Sequence, residues 1–245
     1  MSRPRRPSLQ QAFLRGRVSR ADVPFTAPWY RPLLSPVFLL TNAITAVWVF
    51  LCWRTIRIRW VPTPEALLRR VQSSGRPLIY YSWHAYSALG VYSFLDGPRE
   101  LMPILIGHDG FNSQLVQRCM AWFGWHVWFY RRHSSVRRRQ QIIDLVRTRG
   151  CHIALMADGG GPYGRVKSGL VDVAEATNSL LVPFVLTGRR ILRLERPRRY
   201  RVPFPFSQLT FHHGEPLDGR ATSREQCQHA LDTLESGASA TPSRS

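Results

Sequence analysis

The chain has 245 residues, 44% of them hydrophobic and 11% aromatic, with 34 basic against 15 acidic residues and a formal net charge of +19. That much core-forming material excludes a disordered basic tail, and the composition also excludes collagen, coiled coil, mucin and a disulfide scaffold. What is left is a basic globular domain with something to bind.

The charge is clustered. Residues 1–31 carry a net +6, residues 131–139 a net +5 and residues 188–201 a net +6, so the rest of the chain is nearly neutral. Such clusters suit phosphates, an anionic membrane surface or an acidic protein partner. Cys52, Cys119, Cys151 and Cys227 show neither a C-x-x-C pair nor metal-ligand spacing, which implies a reducing compartment and no disulfide framework. His108, His126, His133, His152, His212 and His213 show no H-E-x-x-H pattern, so no metal is expected.

In chain order, residues 1–31 read as a disordered basic leader. From Pro32 to Trp53 there are 22 residues without a charge, long enough for a hydrocarbon layer of about 30 Å. Arg31 precedes this run, Arg54, Arg57 and Arg59 follow it, and Trp48, Trp53 and Trp60 cluster toward one end, as interfacial anchors do. The run begins too late and is too long for a cleavable signal peptide. A spanning helix and a helix that dips into one leaflet or packs on the following domain both fit. Residues 32–60 are therefore read as a membrane-anchoring or membrane-dipping hydrophobic helix.

Over 61–220 the pattern alternates. Strands are predicted at 78–82, 101–107, 125–130, 151–157, 180–186 and 209–214, with helices at 112–123, 134–149 and 169–177. This is an α/β domain with a mostly parallel or mixed central sheet flanked by helices. Residues 221–245 read as a C-terminal helix and a disordered tail, the tail taking the last 15 or so residues.

In such a sheet the chemistry gathers beyond the carboxyl ends of the strands. His84, Asp109-Gly110, Arg131-Arg132 and the loop from Asp158 fall there. A neutral imidazole at His84 suits a general base toward a hydroxyl, provided a partner orients the ring; a structural hydrogen bond is the plainer use of a histidine after a strand. Asp-Gly pairs are also ordinary turn signals. The segment Asp158–Gly169 places Gly159, Gly160, Gly161, Gly164, Arg165 and Lys167 ahead of a helix start, where free backbone N–H groups favour an anion. It matches neither the Walker pattern nor G-x-G-x-x-G after a first strand. A phosphate or carboxylate cradle is what it supports.

Taken in order, several elements resemble a bacterial family of unassigned function within the lysophospholipid acyltransferase superfamily. They are Trp83-His84, Asp109-Gly110, Arg132-His133-Ser134-Ser135, the Asp158–Gly169 loop, Val182-Pro183, Pro203–Phe206 and Gly214-Glu215-Pro216. The resemblance implies an acyltransferase-like fold with an N-terminal hydrophobic helix, and transfer of a fatty acyl group from a thioester to a lipid or glycolipid acceptor. It makes His84 the general base. In the wider superfamily an acid stands five residues after the histidine; here that slot holds Leu89, and Asp109 is the candidate replacement. Substrate binding falls to Arg132, Ser134, Asp158, Gly159, Gly161, Arg165 and Lys167. The donor is acyl-CoA or acyl carrier protein, with no tightly bound cofactor. The expected partners are membrane phospholipid and, as a candidate, acyl carrier protein, with no nucleic acid. The expected location is the cytoplasmic face of a bacterial inner membrane. A non-catalytic lipid- or carrier-binding relative of the same fold is the alternative, with Leu89 as its best support.

Overall fold

The computed structural model describes residues 36–95, 97–108, 125–130, 135–159, 162–195 and 199–240. A hydrophobic helix, α1 (Pro36–Thr55), leads directly into strand β1 (Arg57–Val61). The segment read as one helix to residue 60 therefore ends earlier. Alternate burial and exposure in Arg-Ile-Arg-Trp-Val is a strand pattern, and β1 pairs in parallel with a late strand of the sheet.

Helix α2 (Pro64–Ser74) begins on proline, which suits a first turn, and stops at Gly75, whose φ of 62° supplies the left-handed cap. Strand β2 (Leu78–Ser82) follows, then a short 3-10 turn over His84–Tyr86 and helix α3 (Ser87–Leu95). The remaining elements are β3 (Ile104–His108), β4 (Val127–Tyr130), α4 (Ser135–Arg149), β5 (Ile153–Met156), α5 (Ser168–Thr177), β6 (Leu180–Leu194), β7 (Tyr200–His213), β8 (Leu217–Asp218) and α6 (Arg224–Ala240). The helix expected over 112–123 lies outside the described residues.

The sheet runs β1-β7-β6-β2-β5-β3-β4, with β8 also on β6. Strands β6, β2, β5, β3 and β4 are mutually parallel, whereas β7 is antiparallel to β6. All five residues of β2 are buried, as a central parallel strand covered on both faces requires. Around it Phe184 stacks on Phe211 with centroids 5.1 Å apart, and Phe94 meets both rings edge-on. Helix α4 buries Ile142, Ile143, Leu145 and Val146. Arg147 holds it to α5 by donating twice to the Ala176 carbonyl, at 2.9 and 2.7 Å.

Helix α1 is apolar on two opposite faces. Val49, Cys52 and Trp53 are buried against the domain, and the Cys52 thiol donates to the Pro203 carbonyl of β7. On the other side Leu40, Ile44, Val47 and Leu51 recur at helical spacing and are 62, 60, 58 and 41% exposed. Among the described residues, no helix is long and apolar enough to cross a membrane.

Three histidines in the domain are held toward the neutral form, mainly by burial: His152, His212 and His213. His152 Nδ1 accepts the Leu78 N–H at 3.0 Å, a bond that needs an unprotonated nitrogen. A bond to the Glu100 backbone offsets part of the shift. Above the ordinary imidazole value of 6.5 both folded and unfolded chains carry neutral rings. Below it the unfolded chain takes up protons first, so stability falls as pH falls. Thermal melts on either side of that value are expected to show this decline, and His152→Asn, which keeps a side-chain carbonyl for Leu78, is expected to reduce it.

Candidate functional site

Strand β5 returns to the middle of the sheet and inserts between β2 and β3, so the carboxyl ends of β2 and β5 lie side by side. Ser82 is in register with Met156, and the Ala157 N–H donates to the Ser82 carbonyl at 2.7 Å. Each strand then breaks into a tight turn. Two residues beyond Ser82 stands His84, and two beyond Met156 stands Asp158.

The two side chains meet. His84 Nδ1 bonds Asp158 Oδ1, and the backbone N–H of His84 donates to the same oxygen at 3.3 Å. The Asp158 side chain is 1% exposed and the His84 side chain 21% exposed. Asp158 Oδ2 is buried with no hydrogen-bond partner among the described residues, a costly arrangement for a carboxylate. A ring whose Nδ1–H is taken by a carboxylate has its tautomer fixed and presents Nε2 as the basic nitrogen.

Asp109, the acid expected to orient His84, lies outside the described residues. The carboxylate the structure does place on the imidazole is Asp158, which the sequence reading had put among the substrate-binding groups. Leu89, in the slot where the superfamily carries an acid, is a fully buried core residue on α3. Arg132, Ser134 and Gly161 also lie outside the described residues.

Gly159 follows Asp158 with a φ of 53°, and a Cβ there would come within 3.3 Å of the Lys167 side chain. The loop closes where the Lys167 N–H donates to the Ala157 carbonyl at 2.8 Å. Lys167 is the N-cap residue of α5, with no side-chain cap bond. The Arg165 and Lys167 side chains are exposed beside this helix start, with no carboxylate partner among the described residues. Backbone N–H groups at a helix N-terminus, with two cations beside them, can hold an anion.

A second carboxylate braces the residues around the site. Glu235 of α6 accepts from Trp83 Nε1–H at 3.2 Å, from the Tyr86 hydroxyl at 2.7 Å and from the Tyr163 hydroxyl at 2.9 Å. Arg201 of β7 also reaches it at 3.3 Å and lies over the Tyr86 ring, 4.3 Å from its centroid. Burial first, and then the contact with Glu235, raise both phenols well above their ordinary range, so both stay protonated and donate. From the same helix, Gln228 accepts the Val166 N–H at 2.9 Å and donates to the Gly164 carbonyl at 3.1 Å. The residues flanking His84 and the glycine-rich loop are thus fastened to one helix.

Glu235 and Gln228 were missed in the sequence. The helix carrying them runs to Ala240, through most of the stretch read as a tail. The available signal was Cys227, Leu231, Leu234 and Ala238 at helical spacing; Cys227, Leu231 and Ala238 are buried.

No protein-family profile matches the chain. A stretch of 143 residues is 28% identical to an uncharacterized protein of Rickettsia prowazekii (strain Madrid E), covering 57% of this chain and 63% of that protein, so the chain spans under two thirds of that relative's length. The fold is similar to that of the crystal structure of the 1-acyl-sn-glycerophosphate acyltransferase PlsC from Thermotoga maritima, with a TM-score of 0.51 and 16% identity over 88% of each chain. At that identity the likeness establishes an acyltransferase-like α/β fold and nothing finer.

Two outcomes follow from the geometry. Nitrogen NMR is expected to find the His84 proton on Nδ1 in the wild type and divided between the two nitrogens in Asp158→Ala. Glu235→Ala leaves an indole N–H and two phenols without their acceptor, and is expected to lower unfolding stability by about 2 kcal/mol or more in denaturant titrations.

Proposed function

We propose that this protein is a membrane-associated acyltransferase that moves a fatty acyl group from a thioester, acyl-CoA or acyl carrier protein, to a hydroxyl of a lipid or glycolipid acceptor. The observation that carries the reading is the His84–Asp158 pair at the adjoining ends of β2 and β5, on an acyltransferase-like fold. Asp158 holds the ring so that Nε2 faces outward. Nε2 takes the proton of the acceptor hydroxyl as its oxygen attacks the thioester carbonyl carbon. Collapse of the tetrahedral intermediate breaks the carbon–sulfur bond, and the imidazolium returns its proton to the departing thiolate. The new ester leaves on the acceptor. Arg165, Lys167 and the start of α5 offer positive potential for the acceptor's phosphate or the donor's pantetheine phosphate.

Membrane association rests on α1. An exposed row of Leu40, Ile44, Val47 and Leu51 opposite a buried face needs an apolar neighbour, and a single leaflet supplies one. The cytoplasmic face is the side that gives access to thioester donors. The non-catalytic alternative drew on Leu89; with Asp158 on the imidazole, an acid need not occupy that slot.

The test compares lipids by mass spectrometry from cells carrying wild type, His84→Ala or no copy of the gene. One acylated lipid is expected to disappear in both altered strains. With the purified protein, His84→Ala is expected to reduce transfer by about 10^2–10^4-fold, and Asp158→Asn to reduce it in the same direction without loss of fold. Transfer unchanged in His84→Ala would remove the mechanism.

A further inference from the structure

The antiparallel pairing of β6 and β7 is interrupted once, and the interruption is large. Arg189 pairs with Gln208 and Ile191 with Pro203, so a step of two residues on β6 faces a step of five on β7. The excess chain, Phe204-Pro205-Phe206-Ser207, leaves the ladder and projects from it. Pro205, within the unpaired stretch, has no N–H to give a ladder, and Pro203 beside it has none either.

The projection is built rather than loose. Ser207 is buried; its hydroxyl accepts the Phe204 N–H at 3.0 Å and lies 2.7 Å from the carbonyls of Arg190 and Phe204, to either of which it donates. The Phe206 N–H donates to the Thr55 hydroxyl at the end of α1, at 2.8 Å. Trp48 of α1 meets the Phe204 ring edge-on, centroids 5.2 Å apart. Phe206 has a φ of 64° and Arg190, opposite the bulge, a φ of 58°. Both are strained for side-chain-bearing residues, and strain of this kind persists only where the surroundings enforce it. Yet the enforced conformation turns Phe206 outward, 65% exposed, with Phe204 39% exposed beside it.

The surrounding surface is cationic. Exposed Arg54 ends α1, exposed Arg57 and Arg59 follow it on β1, and exposed Arg189, Arg190 and Arg193 flank the bulge on β6. Neither residues 54–59 nor residues 189–194 include an acid. A rigid aromatic tip hydrogen-bonded to an apolar helix and set among arginines matches a bilayer with anionic headgroups: rings enter the acyl boundary, guanidinium groups meet phosphates.

We infer that the Phe204–Phe206 bulge is a second membrane contact, an aromatic wedge that enters an anionic phospholipid leaflet alongside α1. The inference rests on the membrane association proposed above and adds a site to it. The wedge fixes the rotation of the molecule about α1, because a row on one helix alone leaves the domain free to roll.

The test uses the full chain and vesicles of phosphatidylcholine and phosphatidylglycerol in equal parts. Phe204→Ser combined with Phe206→Ser is expected to weaken vesicle partitioning by about tenfold or more, from the transfer energy of two phenyl groups, with the melting curve in detergent unchanged. Phe206→Trp is expected to keep wild-type partitioning and to gain fluorescence quenching, beyond that of the wild type, in vesicles containing brominated phosphatidylcholine. Wild type that binds while the double variant matches it, or a Phe206→Trp variant whose added indole fluorescence bromine does not quench, overturns the wedge alone. Wild type that binds no vesicle removes the membrane association itself.

Discussion

One adjacency underlies the rest: β5 lies against β2, and their ends stop at the same level. The Ala157 N–H on the Ser82 carbonyl fixes that level to within a hydrogen bond. From there both chains need only two residues to bring an imidazole against a carboxylate. The pair is therefore a property of sheet register, the most rigid quantity the fold has, since a slip of one residue would turn every side chain of the strand to the other face. Both groups thus stand at the ends of buried strands, where the sheet fixes them.

That loop nevertheless requires support, which comes from α6. Glu235 gathers Trp83, Tyr86, Tyr163 and Arg201, drawn from the His84 turn, the loop and β7. Four donors on one carboxylate distribute its charge and satisfy groups that burial would otherwise penalise. The arrangement is a brace, its carboxylate taken up by those four donors.

Much of the fold was legible because central parallel strands write themselves as short apolar runs: Leu78–Ser82 and the start of β6 are continuous hydrophobic blocks. Strand β1 was not, since its arginines looked like the flank of a membrane helix, and only pairing with β7 makes Arg57–Val61 a strand. His84 was legible from its place after the first of these blocks. Its partner was not. Sequence order suggested the loop after the next strand, at Asp109, whereas the crossover that returns β5 between β2 and β3 makes Asp158 the spatial neighbour. Spatial order in a sheet is decided by tertiary packing, which local periodicity does not encode. A C-terminal helix was expected but not its length: Ser236, Gly237 and Ser239 mask a helical row of four apolar positions, so its second half was read as tail.

The links to Glu235 span long stretches of chain, with Trp83 separated from it by 152 residues and Tyr163 by 72. Each link closes a long loop, at an entropic cost that rises only slowly with loop length. One carboxylate on α6 thus secures two stretches far apart in the chain, the His84 turn and the glycine-rich loop. Loss of its charge would slacken both together, whereas the register that brings His84 to Asp158 is set by the sheet.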